Sequence, residues 1–124
     1  MHCEYLSNIN GIQIKLFSNI KSLNLSSNNI DDMTELLALR QVSDLNLSCN
    51  KITRVAGLDN MLSSLEKINL SHNRVASLQY FGETIKNGLS APNLESIDLN
   101  DNYIGDLSHI KYLKAVTSLK SVVF

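Results

Sequence analysis

Residues 20–30 read IKSLNLSSNNI, and three further stretches follow the same rule. They are residues 42–52, VSDLNLSCNKI; residues 65–75, LEKINLSHNRV; and residues 94–104, LESIDLNDNYI. The four align without gaps as apolar-x-x-apolar-x-Leu-x-x-Asn-x-apolar. Their Asn residues stand at 28, 50, 73 and 102, at spacings of 22, 23 and 29 residues. A fifth copy opens at Leu119 as LKSVVF and reaches Phe124. Self-similarity at a period of roughly 20 to 50 residues marks stacked units, each covering the apolar face of the next.

The centre of each copy alternates with period two, as a strand with one buried face does. Leu23 and Leu25, Leu45 and Leu47, Ile68 and Leu70, and Ile97 and Leu99 are expected inside. Asn28, Asn50, Asn73 and Asn102 fall where the chain leaves the strand. A turn there has backbone groups that need partners. An Asn amide donates and accepts at once. These four are expected to form a structural ladder that closes the turns.

The segments between copies read as returns. Asp31 and Asp32 precede Met33, Leu36, Leu37 and Leu39, as at a helix start. Leu78, Phe81, Ile85 and Leu89 fall at spacings of three, four and four, one helical stripe. Asn87-Gly88 reads as that helix's stop and Ala91-Pro92 as the loop after it. This helix accounts for the 29-residue spacing. Ser108 is expected to cap a last helix that turns Ile110, Leu113 and Val116 inward. Between Ile52 and Leu65, Val55, Leu58 and Leu62 read as buried and Gly57 as a turn, a short or 3-10 element.

The four copies resemble leucine-rich repeats, over about residues 20–124. The resemblance implies an α/β, right-handed solenoid with a parallel concave sheet and short helices and 3-10 turns on the convex side. It divides residues 1–124 into one domain with repeats at 20–41, 42–64, 65–93 and 94–118. Residues 1–19 read as an N-terminal cap or degenerate repeat, and 119–124 as the start of a truncated fifth repeat. An open apolar edge at Val122, Val123 and Phe124 invites pairing, so the chain is expected to continue or to be covered there. The short copies, LNLSCNKITRVAGL at 45–58 above all, are similar to the intracellular 22-residue class that includes the phosphatase-1 regulator and dynein light-chain relatives. The lengthened third repeat is similar in layout to the N-terminal repeats of centrosomal leucine-rich-repeat and coiled-coil proteins. That implies a cytoplasmic setting, with centrosome, cilium or nucleus as particular sites.

Composition excludes several function classes. Eleven basic and twelve acidic residues leave a net charge of -1, against a nucleic-acid footprint or a polybasic membrane contact. No stretch approaches the roughly eighteen apolar residues of a membrane span, and residues 1–15 lack a secretory pattern. Cys3 and Cys49 are neither a disulfide framework nor, with His2, His72 and His109, a metal set. No Gly-rich phosphate loop is present and no carboxylate pair is tied to a pocket, so no cofactor, catalytic residue or small-molecule substrate is expected. The sequons at Asn24, Asn46 and Asn69 occupy one repeat position and arise from the repeat itself.

Ser27, Cys49, His72 and Asp101 also share a position and should line one rim. A base beside Cys49 would raise its thiolate fraction, a remote alternative. The residues between the core apolars, Asn24, Asn46, Asn69 and Asp98, face outward with Ser26, Ser48, Ser71 and Asn100 after them. With His72, Arg74, Tyr103 and Lys51 at the rim, they form the candidate interface for a protein partner of unknown identity. Arg at both Asn46 and Asn69 is expected to leave the fold alone. The alternative function is a regulatory subunit that docks and redirects an enzyme such as a protein phosphatase.

Overall fold

The computed structural model describes residues 20–34, 36, 39–105 and 107–124. The cap expected in residues 1–19, and Leu37, lie outside the described residues. Each copy of the pattern places a strand: β1 (Ser22–Asn24), β2 (Asp44–Asn46), β3 (Lys67–Asn69), β4 (Ser96–Asp98) and β5 (Ser121–Val123). They form one open five-stranded parallel sheet in chain order. Leu23 pairs with Leu45, Leu45 with Ile68, Ile68 with Ile97, and Ile97 with Val122. Repeat register and strand register are therefore the same thing. The ladder runs on past the strands: Leu25 N–H donates to Asn46 O, Leu47 N–H to Asn69 O and Leu70 N–H to Asp98 O, each at 2.8 Å. The architecture is an α/β repeat solenoid.

The inward side chains Leu23, Leu25, Leu45, Leu47, Ile68, Leu70, Ile97 and Leu99 are all buried. They meet the apolar residues of the returns in one core. Burial of this kind contributes about 25 cal/mol per Å² of apolar surface.

Past β1 to β4 the repeat places an Asn, buried at 28, 50 and 73 and half-buried at 102. Asn50 Nδ2 donates to Leu47 O (3.0 Å), to Ser48 O (3.2 Å) and, in the preceding repeat, to Leu25 O (3.0 Å). Its Oδ1 accepts the Ile30 N–H at 3.0 Å. Asn73 does the same with Leu70, Ser71, Leu47 and the Ile52 N–H. Asn102 does so with Leu99, Asn100, Leu70 and the Val75 N–H. Asn28 donates to Leu25 O and Ser26 O. Asn50, Asn73 and Asn102 each bond their own turn and the turn before it.

The returns differ from the expectation in detail. After Asp31-Asp32 the bonds are Leu36 N–H to Met33 O and Leu39 N–H to Leu36 O, the i to i+3 kind of a 3-10 turn. The Asp32 carboxylate accepts the Thr34 N–H at 2.9 Å, which holds its pKa below the usual value. α1 (Gln79–Lys86) buries Phe81 behind Leu78. Leu89 is not on its stripe: it lies past the helix end and is 37% exposed. Gly88, at φ +91°, turns the chain out, with Gly88 N–H to Ile85 O and Leu89 N–H to Thr84 O closing a Schellman motif. α2 (Ile110–Leu113) follows a 3-10 turn at Leu107–His109. Ser108 sits within that turn instead of capping α2, whose N-cap residue is His109.

Gly57 lies at φ +73°, and a Cβ on it would stand 2.4 Å from Met33 O. Both the dihedral and the backbone contact exclude a side chain. Gly57→Ala is expected to cost about 1–3 kcal/mol, and Asn73→Ala about 1–3 kcal/mol through orphaned turn groups. Urea denaturation checks both; an unchanged midpoint for Asn73→Ala would refute the turn-closing role.

Candidate functional site

The sheet face away from the core is built from columns of equivalent residues. One column is Asn24, Asn46, Asn69, Asp98 and Val123 in direct register. Beside it runs Ser22, Asp44, Lys67, Ser96 and Ser121. The alternation that exposes Asn46 exposes Asp44 as well, so the period-two signal already contained this second column. Sequence reasoning did not place it on the floor.

The floor is less free than its composition suggests. Asn24 Oδ1 accepts the Ser26 N–H at 2.9 Å and the Ser26 hydroxyl at 2.6 Å. Asn46 does the same for Ser48 at 3.0 and 2.8 Å, and Asn69 for Ser71 at 2.9 and 2.7 Å. In the fourth repeat Asp98 Oδ1 accepts the Asn100 N–H at 3.0 Å. These Asx turns stiffen each strand exit. Ser71 is buried, whereas Asn100 is exposed. The expectation that Arg replaces Asn46 and Asn69 harmlessly is therefore corrected. Both are half-buried, and Arg supplies no acceptor for the Ser48 and Ser71 backbone N–H.

Beyond the floor the chain turns through Ser27, Cys49, His72 and Asp101, all at positive φ between 56° and 59°. Left-handed non-Gly residues are uncommon, and nothing in their types announces the conformation. Their side chains stand out along the rim. His72 Nδ1 lies 2.9 Å from Asp101 Oδ2, both side chains more than half exposed. The histidine is thus paired along the column with Asp101, while Cys49 is an exposed free thiol. No group of three or more His, Cys, Asp or Glu side chains among the described residues is arranged to hold a metal ion.

The next rim column is Asn29, Lys51, Arg74 and Tyr103, all exposed. It is held by the backbone: Lys51 N–H donates to Ile30 O, Arg74 N–H to Ile52 O and Tyr103 N–H to Val75 O. Tyr103 is 67% exposed, the most open of the large apolar or aromatic side chains at the site.

The convex side is shaped by packing. Tyr80 donates its hydroxyl to Asp59 Oδ1 at 2.5 Å and accepts the Leu58 N–H at 3.0 Å. Burial, then Asp59, keep this phenol neutral well above its usual range. His109 is half-buried, and its Nδ1 accepts the Leu78 N–H at 3.3 Å. An open hollow of about 460 Å³ between α1 and α2 is lined by Gly82, Lys86, Lys111 and Tyr112.

Comparison with known proteins agrees with this geometry. A family profile described as Leucine Rich repeat matches residues 18–32 and 90–108. The chain carries leucine-rich repeats. Among curated relatives, Leucine-rich repeats and immunoglobulin-like domains protein 3 of Homo sapiens is 28% identical over 110 residues, 87% of this chain. MAP kinase phosphatase with leucine-rich repeats protein 3 of Dictyostelium discoideum is 30% identical over 105 residues, 82% of this chain. The match spans only 9% and 12% of those proteins. A leucine-rich repeat domain points to protein interaction as its general role. No helix among the described residues is long and apolar enough to cross a membrane.

The double variant Asn46→Arg, Asn69→Arg is expected to lose about 1–3 kcal/mol by leaving two half-buried N–H groups without acceptors. Asn46→Asp, which keeps the acceptor, is expected to hold its melting temperature to within a few degrees. Thermal denaturation of the two side by side checks the Asx-turn reading.

Proposed function

We propose that this chain is a non-catalytic interaction module that binds a partner protein on its concave sheet face. The observation that carries the reading is the continuous register of outward residues across β1 to β4, bordered by the exposed Arg74 and Tyr103. Arg and Tyr are the residue types most often found as interface anchors. A stiff floor supports this use, because a surface already ordered gives up little entropy on binding. The resemblance of the sequence to the short intracellular class supports a cytoplasmic setting for this activity, with the centrosome or cilium as the setting its layout suggests.

A second reading is a subunit that docks and redirects an enzyme. The Dictyostelium relative favours it, since its name joins a MAP kinase phosphatase to leucine-rich repeats. Thiol chemistry at Cys49 is the remote third: the thiol is exposed, and no hydrogen bond joins it to His72, whose Nδ1 faces Asp101. Cys49 is expected to react with iodoacetamide at neutral pH no faster than a free cysteine peptide; a much faster rate would restore the thiol reading.

The test of the main reading is affinity purification from lysate with mass spectrometry. Arg74→Ala with Tyr103→Ala is expected to lose the bound partner by about tenfold or more. Lys86→Ala with Lys111→Ala, on the convex side, is expected to retain it. The reverse pattern would move the site to the helices. Phosphatase activity in the purified complex would select the second reading.

A further inference from the structure

The Asx turns decide which end of each floor amide is left for a partner. A backbone N–H only donates, so the atom it meets on Asn24, Asn46 or Asn69 must be the amide oxygen. The amide orientation is thereby fixed, and the Nδ2 groups point elsewhere. None of the three Nδ2 groups has a hydrogen-bond partner among the described residues, and no buried side-chain nitrogen or oxygen there lacks one. The three Nδ2 groups are therefore reached by solvent. The strip across β1, β2 and β3 is a row of donors.

The row has a spacing and a sign. Neighbouring strands lie about 4.8 Å apart, and the three Asn are in direct register. Lys67 stands on the same floor, and Lys51 and Arg74 on the adjoining rim, with no ion pair to any described residue. Asp44 and Glu66 offset two of these three charges, and Asp98 ends the donor row at β4. Over β2 and β3 the local balance is positive.

A partner must present acceptors at a matching interval. An α-helix lying across the strands offers one side chain per turn, about every 5.4 Å. Its mismatch with the row is about 0.6 Å per step, which flexible side chains absorb. An extended strand offers same-face side chains about every 6.7 Å and drifts by about 4 Å over two steps. The geometry points to a partner helix that lays a line of Glu or Asp side chains across β1 to β3, one per turn, on the Asn24, Asn46 and Asn69 amides with Lys67 beside them. This rests on the concave-face reading and specifies the chemistry of its ligand.

The test uses an Ala-based helical peptide with Glu once per turn along one face, and its Lys counterpart. Each is titrated into the ¹⁵N-labelled protein, and the Asn side-chain amide signals are followed. The Glu peptide is expected to bind and to shift the Asn46 and Asn69 side-chain signals. Asn46→Asp is the variant of choice, because Asp98 already makes the same turn in the fourth repeat. It keeps the fold and turns a donor into a carboxylate, so the Glu peptide should bind about tenfold more weakly or worse. Lys67→Gln should weaken it by a smaller factor.

Equal binding to wild type and Asn46→Asp would overturn the proposal. Preferred binding of the Lys peptide on the floor would also overturn it, while leaving the concave-face reading in place. Shifts confined to the α1 and α2 hollow would overturn both. No shift with either peptide would overturn the proposal alone, since a concave site of other chemistry would still be open to the Arg74, Tyr103 test.

Discussion

The repeats are held in phase by a buried asparagine used in two directions at once. Its Nδ2 reaches three carbonyls, two in its own turn and one in the turn before, and its Oδ1 accepts an N–H of the preceding repeat. A buried polar group is tolerated only when its partners are made. Few side chains could take this place. Asp has no donor, Ser has no amide nitrogen, and Gln would set the same groups one carbon further out. The bond also spans two repeats, so it fixes their relative height as well as the turn. From that follows the direct register of β1 to β4, and from the register follow the columns on the outer face.

The same turn explains the rim. To bring the Asn side chain inward, the preceding residue passes through the left-handed region, at φ 56° to 59° in four repeats. Glycine would be the least strained choice there, yet the chain carries Ser27, Cys49, His72 and Asp101. A backbone condition thus throws four unlike side chains into one exposed line. Their alignment is a product of the scaffold and is no sign by itself of a catalytic set. The His72 and Asp101 pair is a contact of the kind that such alignment produces.

Much of this was legible in the sequence because it rests on periodicity. Leu23, Leu45, Ile68 and Ile97 announce the strands by alternation, and the Asn spacing announces the repeat. The α1 helix was legible from Leu78 and Phe81, but its stripe was carried too far: Gly88 ends the helix before Leu89 can face the core. Ser108 has the chemistry of a cap and the wrong neighbours, since a 3-10 turn precedes α2. Other features leave no periodic trace. The Asx turns depend on where Asn46 and Ser48 sit in three dimensions, not on their types alone. The bonds from the Ser64 hydroxyl to Val42 O and from the Ser118 hydroxyl to Leu94 O join successive repeats on the other side of the sheet. Their only trace is a Ser one place before the first apolar residue of the third and fifth copies. The chemistry of the floor is likewise set by hydrogen bonds: composition shows amides, and only the geometry shows which end is spent.

That division between fold and surface is uneven around the solenoid. On the convex side the third repeat takes in a whole helix, and β3 and β4 still pair without a shift. Gly82 lets the Tyr112 ring lie against α1, where a Cβ would stand 2.5 Å from it. Length and shape can vary there while the strand-end asparagines keep the register. The concave face has no such freedom. Asn24, Asn46 and Asn69 each support a strand exit with one atom and face solvent with another. A change of surface chemistry at these positions must keep a short side chain with an acceptor at the same reach. Asp meets that condition, and the fourth repeat uses it. The surface chemistry of this face is therefore tuned in one step, from amide to carboxylate, without a change of shape.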